Sequence, residues 1–182
     1  MRTMLMKVRN YLGQLFLWGH IIFAAVMLGG SFYEMMVIGL VWSASLPESL
    51  SFMSNPQYSV NPGRFWGSLG GLPTLFLLGA LIFNWQSRRR RYLILVSFLC
   101  VLINTLTTIF YFIPALMVMF SPDGGGRSGA ELTALGNNWI LGTWGRMALL
   151  LVSLVVSVWA MSVPLPKAQA AERDELQAEG AI

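Results

Sequence analysis

The sequence predicts an all-α fold, a four-helix transmembrane bundle with N and C termini cytoplasmic. Three observations predict it. Apolar stretches fall at about residues 15–42, 65–85, 92–120 and 138–163. Charged residues make up only 11% of the chain, against about 25% in soluble domains. The basic residues, Arg146 apart, flank the apolar stretches.

The first stretch comes after a basic N-terminal segment, residues 1–14, with Arg2, Lys7 and Arg9. At about 1.5 Å per residue it exceeds a hydrocarbon core of about 30 Å, so it must tilt or protrude. A cleavable signal peptide is the competing reading, and Ser43-Ala44-Ser45 has the small residues of a cleavage site. The stretch is too long for it, since a signal core is only about 7–15 residues. A retained span is therefore expected.

The second and third stretches flank a tight link that holds Arg88, Arg89, Arg90 and Arg91. Gly67 and Gly71 in the second have the small-xxx-small spacing that lets helices approach closely. The fourth stretch is expected to begin near Asn137, Asn138 and Trp139, as a cap and an interface anchor. Residues 164–182 form a polar tail with Lys167 and Arg173. With four spans, the N-terminus, the arginine link and the tail share one side. The other side has only Arg64 and Arg127. The positive-inside rule makes the first side cytoplasmic, which gives a multi-pass protein of the cell membrane. An anionic-lipid site is the second reading of the arginine cluster.

On the opposite side, residues 43–64 make a long connection punctuated by Asn55-Pro56 and Asn61-Pro62-Gly63. Ser121-Pro122-Asp123-Gly124-Gly125-Gly126 is expected to be flexible by composition.

Composition excludes several function classes. The net charge of +4 sits beside apolar spans and makes no nucleic-acid patch. The single cysteine, Cys100, allows no internal disulfide and is expected to be an inert packing residue. His20 is the only histidine, so bis-histidine haem is excluded and no zinc cluster exists. No metal and no cofactor are expected.

Charge inside a span is expensive and marks a site. Glu34 lies about eight residues before the outer end of span one, and Arg146 about eight after the outer start of span four. Both should sit about 12 Å below the outer boundary by the helical rise. An interhelical ion pair is expected from that matched depth. Three polar stripes should face one another: His20, Ser31 and Glu34; Asn104, Thr108 and Tyr111; Arg146, Ser153 and Ser157. The candidate pocket or ion pair is Glu34, Arg146, Tyr111, Asn138, Asn104 and His20.

Several segments resemble a known family. They are Gly30-Ser31-Phe32-Tyr33-Glu34, Asn61-Pro62-Gly63-Arg64-Phe65-Trp66, Asn84-Trp85, Tyr111-Phe112-Ile113-Pro114, and the fourth-span residues Asn138 and Arg146. The chain resembles a broad family of small four-span integral membrane proteins of unknown function that includes the anthrone oxygenase-like proteins. The resemblance covers about residues 15–160. It implies a four-helix fold and, at most, a cofactor-free oxidation of a phenolic substrate. It maps no catalytic residue.

Two readings of function stand. In one, a small hydrophobic or phenolic molecule is bound or processed in an outward-facing pocket; Arg146 orients its oxygen and Glu34 accepts a proton. In the other, the chain is a structural or accessory subunit whose buried charges lock the bundle or dock a membrane-protein partner or a second copy. A transporter is disfavoured by four spans without an inverted repeat. The lipid bilayer is a partner in every case.

Overall fold

A computed structural model describes residues 2–51, 63–121 and 123–165, with side chains from residue 4. Those residues form helices and turns, with no strand among them. Four helices are long and apolar enough to cross a membrane: Met4–Trp42, Gly63–Phe83, Arg88–Met119 and Gly129–Ser162. They pack as an all-α four-helix bundle. The long connection expected to carry a functional loop lies, for residues 52–62, outside the described residues.

Burial is arranged for an apolar solvent. Large apolar side chains such as Trp18, Ile22, Leu75, Ile82, Leu99, Leu141 and Val155 stand exposed along all four helices. The interior holds small or polar groups, among them Ala24, Ala80, Ser97, Ser153, Ser157 and Ala160. Between helices in lipid, small residues permit close packing and polar ones find partners across the interface.

The helices are longer than the apolar stretches that announce them. The first starts at Arg2, because its basic residues are adequate helix formers even where hydropathy is low. The fourth starts at Gly129, set by a capping box in which Ser128 accepts from the Glu131 N–H and the Glu131 carboxylate accepts in return from Ser128. Asn137 and Asn138 are therefore exposed positions inside a helix, not caps, and Trp139 is a core residue, not an interface anchor. In the preceding turn Gly124, Gly125 and Gly126 have φ of 62°, 61° and 72°, a region only glycine occupies cheaply. Asp123 accepts from the Gly125 N–H at 3.1 Å, and this bond holds its carboxyl below the usual carboxylate range.

The first two helices meet through reciprocal glycine–phenylalanine contacts. A Cβ on Gly19 would overlap the Phe76 ring, and one on Gly79 would overlap the Phe16 ring. Phe16 stacks on Phe83 at 5.4 Å, and Phe23 on Phe76 at 5.3 Å. The expected Gly67 and Gly71 faces meet nothing within 4 Å. Near Asn84, the carboxamide joins the helices by donating to the carbonyl of Gly13 at 3.1 Å.

Two spans contain π-helical segments, Glu34–Gly39 in the first and Thr108–Phe112 in the third. Each lies toward the end opposite the arginine link. A π turn takes one more residue than an α turn and so rotates the remainder of the helix to a new face. Inward positions accordingly run Met27, Ser31, Met35, Gly39 in the first helix, and Asn104 then Phe112 in the third.

Candidate functional site

The bundle has two separate polar centres. The inner one surrounds His20, which is fully buried. Its Nδ1 lies 3.0 Å from the Pro73 carbonyl, and its Nε2 lies 3.1 Å from Ser153 Oγ and 3.3 Å from Ser97 Oγ. A carbonyl can only accept, so Nδ1 carries the hydrogen and Nε2 accepts. Ser97 Oγ is also 2.7 Å from Ser153 Oγ, 2.8 Å from Ser157 Oγ and 3.1 Å from the Ser153 carbonyl. One consistent ordering satisfies every group: Ser157 donates to Ser97, Ser97 to the Ser153 carbonyl, and Ser153 to His20.

This centre ties together all four spans. It resembles a serine–histidine dyad with a carbonyl in place of the usual acid. His20, Ser97, Ser153 and Ser157 are all 0% exposed, so no substrate reaches the hydroxyls. Its geometry is that of a clasp. The sequence set the stripe of His20 facing that of Ser153 and Ser157, and the structure brings His20 to Ser153 and, through Ser97, to Ser157; Glu34, on the same stripe, belongs to the other centre.

The outer centre is built on Arg146, Asn104 and Glu34. Arg146 donates from Nε to Asn104 Oδ1 at 3.1 Å. Its guanidinium carbon lies 4.3 Å from the centre of the Phe112 ring, a favourable cation–π placement. Glu34 interacts with the Trp66 side chain and feels the Arg146 charge. Among the described residues, Arg146 donates through Nε alone, and its two terminal nitrogens are not sealed from access.

Glu34 and Arg146 do not close a direct ion pair. The guanidinium instead binds Asn104 through Nε and rests on the Phe112 ring, and the two charges sense each other without contact. That corrects the expected ion pair.

Two expected site residues do not reach the Arg146 guanidinium: Tyr111 meets only the edge of the Phe112 ring, at 5.1 Å, and Asn138 makes no contact there. Tyr111 is 39% exposed, because the π turn puts Phe112 in the inward position. Asn138 is exposed on the fourth helix. Two residues that sequence reasoning left out take part: Phe112 under the guanidinium and Trp66 beside the carboxylate. Trp66 fell within a segment already singled out, Asn61 to Trp66, and that was the available signal.

An aromatic cluster adjoins this centre through Phe112. Trp42 meets Trp139 at 5.4 Å and Phe120 at 6.3 Å, edge to face, and Phe112 meets Trp139 at 5.7 Å. The Trp139 indole N–H donates to the Phe112 carbonyl at 3.3 Å, so the π segment that carries Phe112 is held from the fourth helix. Among the described residues, no group of three or more His, Cys, Asp or Glu side chains forms a metal site.

No family model, curated protein or solved structure matches the chain.

Proposed function

We propose that the chain is a multi-pass membrane protein, with both termini cytoplasmic, that binds a small hydrophobic molecule through an anionic or phenolic oxygen. The site is the outer centre of Glu34, Arg146, Asn104 and Phe112. One observation carries the reading. Arg146 is fixed by Asn104 through Nε and by Phe112 through its face, while its terminal nitrogens have no partner among the described residues. A guanidinium held this way presents a planar fork to an oxygen anion. Glu34, beside the Trp66 side chain and within electrostatic reach of Arg146, is the group that would accept a proton from a hydroxyl held there. π-helical segments, which often accompany functional sites, carry Glu34 and Phe112. The orientation rests on the arginine link and the basic N-terminus.

The resemblance to the anthrone oxygenase-like family is compatible with a phenolic ligand. Turnover would need the proton acceptor as well as the guanidinium. The structural-subunit reading has less support at this site, because the closed contact that spans all four helices is the His20 clasp, not Glu34 with Arg146.

The test is binding of 2-naphthol and 2-naphthoate to detergent-purified protein, monitored by quenching of tryptophan fluorescence. Saturable binding that Arg146→Ala weakens by about tenfold or more, the cost of one charge-assisted contact, supports the proposal. A folded Arg146→Ala protein that binds as the unaltered chain does would overturn it.

A further inference from the structure

The arginine-rich end of the bundle has a feature that topology does not require. A shallow, open recess lies between the first helix and the link joining the second and third, lined by Arg9, Asn10, Asn84, Gln86, Ser87 and Leu165. Arg9 lines it, and its Nε is buried with no hydrogen-bond partner among the described residues. A buried guanidinium nitrogen left unpaired costs more than an exposed one.

Among the described residues the charge at this end is one-sided. The carboxylates among the described residues are Glu34, Glu48, Asp123 and Glu131, and all lie toward the other end of the bundle. Nothing described at this end neutralises Arg9. The four link arginines have different fates. Arg90 is fully buried and spends Nε on the Ala160 carbonyl at 2.9 Å, at the end of the fourth helix. Arg91 lies 4.8 Å over the Trp85 ring, and Arg88 lies 5.9 Å from the Tyr92 ring. Arg89 is exposed and does not line the recess.

We infer that this recess is a phosphate site, with Arg9 as its anion-binding group and Asn10, Gln86 and Ser87 supplying further donors. Arginine presents a planar set of N–H groups that matches a phosphate oxyanion. The flanking Trp85 and Tyr92 place the link at headgroup depth, where such rings concentrate in membrane proteins. The phosphodiester of an anionic phospholipid lies at that depth, and free phosphate offers the same oxygens. The site is independent of the Arg146 centre, at the opposite end of the bundle.

Native mass spectrometry of the full chain tests it, with phosphatidylglycerol, phosphatidylcholine and inorganic phosphate titrated separately. Preferential retention of phosphatidylglycerol over phosphatidylcholine, weakened about tenfold by Arg9→Ala through loss of a charge-assisted contact but not by Arg89→Ala, supports a lipid site. Arg9-dependent binding of inorganic phosphate without lipid discrimination supports the same site with a soluble source. Equal losses in Arg9→Ala and Arg89→Ala would overturn it, because diffuse surface charge explains such losses. Absence of both lipid preference and phosphate binding would also overturn it. If Arg9→Ala does not fold, Arg9→Lys keeps the charge and removes the fork; its binding must then fall below that of Arg89→Lys.

Discussion

His20 and Ser153, on the first and fourth helices, share a 3.1 Å hydrogen bond in the closed centre of the bundle. Because the Pro73 carbonyl takes the other ring nitrogen, the imidazole is held in one neutral tautomer and joins three helices directly. Ser97 brings in the third span. His20→Ala should therefore lower stability in detergent by roughly 2–4 kcal/mol, from lost packing volume and two interhelical bonds. Ser97→Ala should cost about 1 kcal/mol, since individual bonds of this kind between membrane helices are modest. Reversible unfolding in mixed micelles measures both; a His20→Ala protein as stable as the unaltered chain would contradict the clasp.

The glycine contacts make a paired prediction. Gly79→Ala drives a methyl group into the Phe16 ring and should destabilise by about 1–3 kcal/mol, the usual cost of overpacking. Gly29 has nothing within 4 Å of its added Cβ. Gly29→Ala should be neutral or stabilising by up to about 1 kcal/mol, from helix propensity. Thermal midpoints of the two variants, compared side by side, check this, and a larger loss at Gly29 would reverse the packing described.

Glu34→Gln separates a site from a lock. With no direct ion pair between Glu34 and Arg146, removing the charge should change stability by less than about 1 kcal/mol, in the range of weakly coupled charges. A shift several times larger, read from the same unfolding curves, would mean that the carboxylate holds the bundle together. Any effect of this variant should fall instead on proton-linked binding or turnover.

Much of the fold was legible because membrane solvation leaves a coarse signal. Runs of apolar residues long enough to cross, and basic residues gathered in the N-terminal segment and the arginine link, came from energetics that local detail does not alter. Helix ends were less legible: hydropathy passed over the capping box at Ser128 and the basic turn after Arg2. At the site, Asn104 with Arg146 was readable from stripes of period 3.6, because both residues lie in uninterrupted α-helix. Tyr111 was misplaced because the π segment advances the inward position to Phe112. The Glu34–Arg146 ion pair was expected from residue counts alone, which cannot show that Asn104 and Phe112 take up the guanidinium instead. His20, fourteen residues from Glu34, belonged to a different layer, which one helical stripe cannot reveal.

Topology offers a further check. Single cysteines in a Cys100→Ala background at Lys7 and Arg89 should be labelled by an impermeant maleimide only after the membrane is opened from the outside, and one at Arg127 should be labelled in intact cells. Labelling of Lys7→Cys and Arg127→Cys from the same face would refute the four-span orientation.

The central claim is that the Arg146 guanidinium receives a ligand oxygen. The most direct measurement is a saturation titration of 2-naphthoate on purified unaltered protein, Arg146→Ala and Ser157→Ala, with folding of each confirmed by circular dichroism. Saturable binding is expected in the unaltered protein. Arg146→Ala should weaken it by about tenfold or more through loss of a charge-assisted contact, and Ser157→Ala, in the other polar centre, should leave it unchanged. Equal affinity for all three proteins, or saturable binding by none, would contradict the claim.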